Sequence, residues 1–309
     1  MILLWGLPKD GPVAAVAAAL ANTSLPVVLL DQRATLDTEL QVRFVGDGIA
    51  GAIDMAGTTI DLDSVTSCLM RPYDSLGLAA IERAGPASVE WRHAQSLERG
   101  LWLWAEYAPG LVVNRPSAML RCSSKPCQST MIRDAGFEYP ETLITTDPEA
   151  AQEFLSRHGS VVYKSISSIR SIVARVTVAH QERLSDIQWC PTQFQEYIQG
   201  LDHRVHVVGD EIFSCTIESE AVDYRYASHE GAAVEIRSVN LPDDCIERCR
   251  TLTACMGLTV AGIDLRRTPD GAWYCFEVNP SPAFTFFECD PEDAIATAMA
   301  RLLTGGGGN

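Results

Sequence analysis

Residues 261–284 read AGIDLRRTPDGAWYCFEVNPSPAF and predict two short, paired β-strands. Aromatic, β-branched and other apolar residues recur over 261–267 and 273–279, as is typical of strands. Between them, Thr-Pro-Asp-Gly at 268–271 is a strong turn signal, because proline fixes φ and glycine allows positive φ. The stretch is therefore predicted to form a β-hairpin.

Three oxygen-bearing side chains of this hairpin are predicted to share one face. An even-membered loop centred on Asp270 and Gly271 places Asp264 directly opposite Glu277. Asn279 follows Glu277 by two positions and shares its face, because strand side chains alternate. The alternative for Pro-Asp-Gly is a type I turn with a one-residue bulge, which would shift this register.

Two carboxylates and an amide held close together favour a bound cation, since neighbouring carboxylates repel each other. Hard oxygen ligands of this kind suit Mg²⁺ that bridges the phosphates of a nucleotide. The alternative is a hairpin whose acids face water, the usual position of Asp and Glu. The flanking residues argue against it, because buried acids without a partner or metal are costly. The apolar residues that predict burial are Ile263, Leu265, Tyr274, Phe276 and Val278.

The composition bounds the class of protein. A chain of 309 residues is long enough for two or three subdomains. It has neither an apolar run that would cross a membrane nor a secretion signal, so a cytoplasmic protein without membrane contact is expected, with its ten cysteines reduced. The formal charge of −16 opposes the attraction on which nucleic-acid binding depends, so no nucleic-acid partner is expected.

Residues 1–113 predict an α/β unit in which strands and helices alternate around a small, mostly parallel sheet. In such sheets ligands gather beyond the carboxyl ends of strands, where Asp31 and Arg71 fall. Arg71 is therefore a candidate to bind a substrate carboxylate, and the alternative is that it caps a surface loop. There is no GxGxxG or GxxxxGKS sequence, so neither a dinucleotide fold nor a P-loop is supported.

The hairpin sequence resembles the metal-binding end of ATP-grasp ligases of the RimK-like branch, where an Asp on one strand and a Glu-x-Asn on the next hold magnesium. The resemblance extends from Asn114 to Glu288, with several motifs in the family's order. It implies a three-subdomain ATP-grasp fold, α/β with an α+β C-terminal part, that holds the nucleotide between the central and C-terminal sheets. ATP and Mg²⁺ are the implied cofactors. The implied metal ligands are Asp264, Glu277 and Asn279. The predicted subdomains are 1–113, 114–190 and 191–309.

The central subdomain has two lysines where RimK-like and microviridin-type (graspetide) ligases bind nucleotide phosphates. Lys125 lies at the predicted start of a helix, whose free N–H groups favour phosphate, and Lys164 lies in the strand VVYKS. Either lysine alone is more often a solvated side chain. The SISSIR sequence that follows stands where the family has a glycine-rich loop, yet it contains no glycine. Its Arg170 is a candidate for phosphate or substrate binding.

The C-terminal subdomain carries the remaining motifs. Glu196-Tyr197-Ile198 is similar to the family's hinge, whose backbone pairs with adenine. Asp202-His-Arg204 is similar to its Asp-x-Arg strand, which implies that Asp202 contacts ribose and that Arg204 contacts the terminal phosphate and the acyl-phosphate. Arg225 matches a RimK arginine and is the second predicted catalytic residue, although Ala227 replaces the asparagine of that motif.

These motifs indicate an ATP- and Mg²⁺-dependent carboxylate–amine ligase that acts through an acyl-phosphate on an amino acid, a peptide or a protein tail. Neutralising phosphate charge and holding reactants in line is the task that its lysines, arginines and metal fit. One alternative is a graspetide-type enzyme that joins peptide side chains by an ester or amide, and another is a nucleotide-binding scaffold without turnover. Ser281 is a further candidate for substrate contact, and both a monomer and a homodimer stay open.

Overall fold

The unbroken apolar strand ILLWG begins the fold and lies inside a parallel sheet. The computed structural model describes residues 1–46, 48–165, 173–219, 233–288 and 293–305, apart from the side chains of Pro126 and Ser165. The sheet has the order β2-β1-β6-β7 and parallel pairing throughout. Its strands are β1 (Ile2–Gly6), β2 (Val27–Asp31), β6 (Ser67–Arg71) and β7 (Leu111–Val113).

Both faces of this first sheet are covered, which explains why its strands are largely apolar. Leu3 and Trp5 belong to a core shared with the helix α3 (Val89–Tyr107). Ile2 and Leu4 belong to a second core, shared with α1 (Gly11–Ala19) and with the last helix, α9 (Ala294–Leu303). The predicted α/β class is confirmed.

Between β2 and β6 the chain forms an antiparallel meander that the sequence analysis did not predict. Its strands pair in the order β3-β4-β5, and the short helix α2 (Ala79–Ala84) follows β6. The meander buries Ile49, Ile53 and Ile60 against α3 and leaves most of its other residues at least partly exposed. The strands are β3 (Thr38–Val45), β4 (Gly48–Met55) and β5 (Thr58–Asp61).

The middle of the chain forms an antiparallel sheet of order β10-β9-β11-β8. Phe154 and Leu155 pack with Val161 and Phe194 on one face of it, so alternate residues such as Lys164 point to the other face. Its strands are β8 (Thr142–Thr145), β9 (Val161–Ser165), β10 (Ala174–Arg175) and β11 (Thr192–Glu196). The helices α6 (Pro148–His158) and α7 (Val178–Gln181) accompany this sheet. The helices α4 (Pro116–Ser123) and α5 (Lys125–Asp134) precede it in the chain and pack into the core of the third sheet.

The third sheet is antiparallel and has the order β14-β13-β12-β15-β16. One face packs on the helix α8 (Asp243–Cys255) through Val205, Val207, Ile263 and Leu265. The strands of this sheet are β12 (Leu201–Val208), β13 (Glu211–Ser219), β14 (Val234–Ser238), β15 (Val260–Arg267) and β16 (Trp273–Asn279).

Among the described residues, no helix has both the length and the apolar composition needed to cross a membrane.

The turn between β15 and β16 differs from the even-membered loop that was predicted. Arg267 pairs with Trp273, and the amide of Thr268 donates to the carbonyl of Ala272 at 3.0 Å, which is the register of an odd-membered loop. Gly271 has a φ of +94°, in the region that favours glycine. The alternative noted for Pro-Asp-Gly is therefore the one that occurs at the turn.

A β-bulge then restores the predicted pairing. The register shifts between Leu265 and Asp264, which leaves Phe276 as the extra residue on β16. Beyond the shift, Asp264 lies opposite Glu277 and Gly262 lies opposite Asn279. The predicted pair of carboxylates is thus confirmed, because the bulge reverses the displacement introduced by the loop.

Candidate functional site

Alternation along three neighbouring strands gathers charged side chains on one face of the third sheet. Arg204 of β12 is aligned with Asp264 of β15, which is aligned with Glu277 of β16. Val205 and Ile263 point into the core, so their neighbours point to the opposite face. We call this opposite face the site face. It carries Asp202, Arg204, His206, Gly262, Asp264, Arg266, Glu277 and Asn279.

The predicted metal ligands meet on the site face. Asp264 accepts a hydrogen bond through Oδ1 from Nη1 of Arg204 at 2.6 Å, and Asn279 accepts one through Oδ1 from the Ser281 amide at 2.8 Å. Within the described residues, Oδ2 of Asp264 and the Glu277 carboxylate accept no hydrogen bond. These oxygens fit a divalent cation, because facing carboxylates repel each other without one.

The donor set is completed by an amide rather than by a third acid. In the parts of the chain that the structure describes, no three His, Cys, Asp or Glu side chains are grouped so that they could hold a metal ion. Asp264 and Glu277 therefore need Asn279 as the third donor from the same face. Two carboxylates and one amide together supply oxygen donors, which suit Mg²⁺ and suit zinc poorly.

Arg204 is almost completely buried at the centre of the site face, only 5% exposed. Its guanidinium carbon lies 5.2 Å from the ring centre of Phe287, and its Nε donates to Nε2 of His206 at 3.3 Å. Across the strand stands Gly262, where an added Cβ would come within 2.1 Å of Nη2 of Arg204. Glycine at this position therefore leaves room for the guanidinium.

His206 was not among the predicted site residues, yet it contacts the predicted catalytic arginine. Burial lowers the pKa of His206 well below its ordinary value, and the charge of Arg204 lowers this pKa further. The imidazole is consequently neutral at pH 7, so its Nε2 can accept the hydrogen bond that Nε of Arg204 donates. The signal in the sequence was its position two residues after Arg204, which places both side chains on one face.

Asp202 forms a bidentate ion pair with an arginine that the sequence analysis did not select. Nε and Nη2 of Arg266 donate to Oδ1 and Oδ2 of Asp202 at 2.7 and 2.8 Å. Nη1 of Arg266 donates to the carbonyl of Ile198 at 2.7 Å. The predicted ribose-binding residue is thus fixed in place by β15 and connected to the hinge.

The predicted hinge leaves the middle sheet at the end of β11. The amides of Glu196 and Tyr197 donate to the carbonyls of Glu141 and Ser160, both at 3.0 Å. Among the described residues, the amide of Ile198 donates to no acceptor, so it is the hinge N–H that remains for a ligand. These contacts hold the hinge to the starts of β8 and β9 and leave the Ile198 amide without an acceptor among the described residues.

The two predicted phosphate-binding lysines occupy different environments. Lys125 is half-buried at the start of α5, and Lys164 is 7% exposed on β9, directly opposite Gln193. The side chain of Gln128 attaches α5 to β16, because its amide accepts from the Val278 N–H and donates to the Val278 carbonyl, both at 3.0 Å. The helix that carries Lys125 is therefore positioned against β16.

Arg71 and Ser281, both predicted to contact substrate, contact each other in this structure. Nη1 of Arg71 donates to the carbonyl and the hydroxyl of Ser281 at 2.9 and 3.0 Å, while Nε donates to Asp10 at 2.8 Å. The guanidinium thus joins the first sheet to the loop after Asn279. These contacts hold the loop in position, and substrate contact by either residue stays a prediction.

Asn114 is a second positioning residue that the sequence analysis did not select. Its buried side chain accepts from the amides of Thr259 and Val260 at 2.8 and 3.1 Å. It donates to the carbonyls of Val260 and Pro280 at 2.7 and 2.6 Å. One amide side chain therefore holds the start of β15 against the end of β16.

Two of the predicted site residues, Arg170 and Arg225, lie outside the residues that the structure describes.

The fold and the site together define an ATP-grasp protein. A comparison with protein families supports the same class, since the RimK-like ATP-grasp domain matches residues 123–303, more than half of the chain. The chain therefore belongs to the RimK-like ATP-grasp family and is an ATP-grasp ligase.

Individual proteins resemble the chain over most of its length. A "probable alpha-L-glutamate ligase" of Sodalis glossinidius (strain morsitans) is 25% identical over 246 residues, which span 76% of this chain and 78% of that protein. The macrocyclase MdnC of Microcystis aeruginosa MRC, solved with its precursor peptide MdnA, superposes with a TM-score of 0.84 at 21% identity and 98% and 99% coverage. The ligase PsnB, solved with a phosphomimetic variant of its minimal precursor, Mg and ADP, gives 0.80 at 24% identity and 98% coverage of both chains.

Proposed function

We propose that this protein is an ATP- and Mg²⁺-dependent ligase that activates a carboxylate of a peptide as an acyl-phosphate and joins it to an amine or hydroxyl of the same peptide. The observation that carries the proposal is the site face, where the paired carboxylates Asp264 and Glu277 lie beside the buried Arg204. This arrangement provides the charges that phosphoryl transfer to a carboxylate requires.

Each group on the site face has a role in this proposal. Asp264, Glu277 and Asn279 would hold Mg²⁺, which supplies positive charge to the phosphate oxygens when it is bound. Arg204 is the catalytic residue that stabilises the transferred phosphoryl group, with its orientation fixed by Asp264 and His206. Lys125 and Lys164 bind phosphates, and the Ile198 amide binds the adenine base.

The peptide substrate is supported by the extent of the similarity to the macrocyclase and to PsnB. Both superpose over 98% of this chain, including the first sheet and the meander, and both were solved with precursor peptides. Such a match extends beyond the nucleotide-binding parts. We therefore favour a peptide whose own side chains are joined over a free amino acid as the substrate.

The test is to incubate the purified protein with MgATP and a candidate precursor peptide, free glutamate, or both together. Chromatography measures ADP, and mass spectrometry measures the peptide. The proposal predicts ADP release only with the peptide, together with the loss of one water mass for each bond formed. ADP release with free glutamate and a gain in peptide mass by whole glutamate residues would contradict side-chain joining.

Addition of an amino acid to a peptide or protein tail is the second candidate function. This function is favoured by the similarity to the protein of Sodalis glossinidius (strain morsitans), which is named a probable alpha-L-glutamate ligase. Both candidates need the same phosphoryl transfer, so the residues on the site face do not distinguish them. The sign of the change in peptide mass distinguishes the two functions, because joining side chains removes water and adding glutamate increases the mass.

A further inference from the structure

Gln193 is a buried polar side chain whose amide has no hydrogen-bond partner among the described residues. It lies on β11 with no exposed surface, and neither Oε1 nor Nε2 of its amide forms a hydrogen bond with a described residue. Burial of an amide without hydrogen bonds is destabilising, so such a group in a folded protein needs an explanation. A ligand that completes both bonds provides one.

The side chain points toward the nucleotide side of the middle sheet. Its neighbour Phe194 packs into the core with Val161, so Gln193 projects from the opposite face. Lys164, a proposed phosphate-binding residue, lies directly across from Gln193 on β9. Gln195, two positions nearer the hinge, differs because its Nε2 donates to Oγ1 of Thr142 at 2.9 Å.

The unpaired atoms identify the part of ATP that fits. A carboxamide offers one donor and one acceptor side by side in a plane. Phosphates offer acceptors only, whereas an edge of adenine offers a 6-amino donor beside a ring-nitrogen acceptor. Glutamine is the side chain that matches the N6 and N7 atoms of adenine in a bidentate way. The N7 edge also faces the 5′-phosphates in an anti nucleotide, which is the side on which Lys164 lies.

We propose that Gln193 is a specificity-determining residue that recognises the N6 and N7 edge of adenine. Nε2 donates to N7, and Oε1 accepts from the 6-amino group. This inference rests on the proposed binding of ATP at this site. It also predicts a preference for ATP over GTP, because the 6-oxo group of guanine would place an acceptor against Oε1.

The experiment measures the binding of ATP, 7-deaza-ATP and GTP by calorimetry to the wild type and to Gln193→Met, which keeps the size of the side chain and removes both polar atoms. The wild type should bind 7-deaza-ATP about tenfold more weakly than ATP, the effect of one lost hydrogen bond. Gln193→Met should bind ATP about tenfold more weakly and should no longer distinguish it from 7-deaza-ATP.

The control is Gln152→Met, a change of the same size at an exposed position of α6, which should keep the wild-type preference. Thermal melting without nucleotide verifies the fold, and Gln193→Met should melt at or above the wild-type temperature because it removes an unpaired buried amide. A variant that still prefers ATP to 7-deaza-ATP by the wild-type factor overturns the inference alone. A wild-type protein that binds no ATP overturns the proposed function as well.

Discussion

Arg266 connects three parts of the site through one side chain. It binds both oxygens of Asp202 on β12, it lies on β15 two residues after the predicted metal ligand Asp264, and it binds the carbonyl of Ile198 in the predicted hinge. Since both carboxylate oxygens are used, we expect the Asp202–Arg266 pair, rather than Asp202 alone, to contact ribose. Arg266 is thus a positioning residue for nucleotide binding.

Replacing Arg266 by methionine should weaken ATP binding more than it slows turnover. The change leaves the Asp202 carboxylate without its partner and frees the hinge carbonyl, so KM for ATP should rise about tenfold or more while kcat changes less. Stability should fall by about 1–3 kcal/mol. Steady-state kinetics and urea unfolding measure both. Arg267→Met, at an exposed position next in the chain, is the control, and equal effects of the two variants would contradict the role of Arg266.

His206 should make the protein less stable in mild acid. Its pKa is lowered from the ordinary value of 6.5, so below that pH the unfolded chain binds a proton that the folded protein excludes. The stability that the folded protein gains from keeping His206 neutral is complete above pH 6.5. This stability is lost as the pH falls, by at most about 1.4 kcal/mol per pH unit. Burial lowers the pKa of His203 as well, so both histidines act in this range.

The measurement is urea unfolding of the wild type and of His206→Val at pH 7.5 and pH 5.5. The wild type should lose more stability between these pH values than the variant, which retains only the part due to His203 and to the carboxylates. If the variant loses as much as the wild type, His206 takes up its proton as readily in the folded protein as in the unfolded chain.

Sequence could predict the residues that carry the chemistry but not those that position them. Asp264, Glu277 and Arg204 stand in motifs whose letters alone indicate a function. Arg266 and His206 form contacts that depend on which strands are neighbours, and their partners are defined only once β12 and β15 are paired. The contacts of Arg71 with Ser281 and Asp10 were likewise not predictable, because they join residues that are far apart in the sequence.

At the scale of the element, the β15/β16 hairpin depends on contacts from outside itself. β16 is the edge strand of its sheet, and Gln128 satisfies the backbone of Val278 on that open edge. Asn114 fixes both strands at the end where Asn279 lies. The strands and the facing carboxylates were predictable from alternation and turn residues, whereas the bulge at Phe276 was not, because no residue type demands it.

Replacing Asn114 by alanine should destabilise the protein strongly. The change leaves buried backbone groups of Thr259, Val260 and Pro280 without partners, which should lower the free energy of unfolding by about 2–4 kcal/mol. Asn22→Ala, an exposed asparagine, should change it by less than about 0.5 kcal/mol. Urea unfolding compares the two. A loss for Asn114→Ala as small as that of the control would mean that other groups hold the two strands.

At the scale of the whole molecule, the two ends of the chain share one core. Ile2, Leu4 and Leu69 of the first sheet pack with Ile295 and Met299 of α9. An amphipathic pattern predicted the last helix, but the surface that it covers lies nearly the whole chain away in sequence. The subdomain boundaries at 113 and 190 stay predictions.

The predicted site residues come from several parts of the chain. Arg71 lies on the first sheet, Lys164 lies on the middle sheet, and the carboxylates lie on the third sheet. In a protein with a formal charge of −16, such lysines and arginines are local exceptions that favour an anionic ligand. The metal would complete this balance by offsetting Asp264 and Glu277.

The most direct test of the account is the Mg²⁺ dependence of ATP binding to Glu277→Gln, measured by calorimetry beside the wild type and the exposed control Glu235→Gln. The wild type and the control should bind ATP at least about tenfold more tightly when Mg²⁺ is present. Glu277→Gln should keep its fold and lose most of that increase. An increase of the same size in Glu277→Gln would contradict a metal site formed by the facing carboxylates.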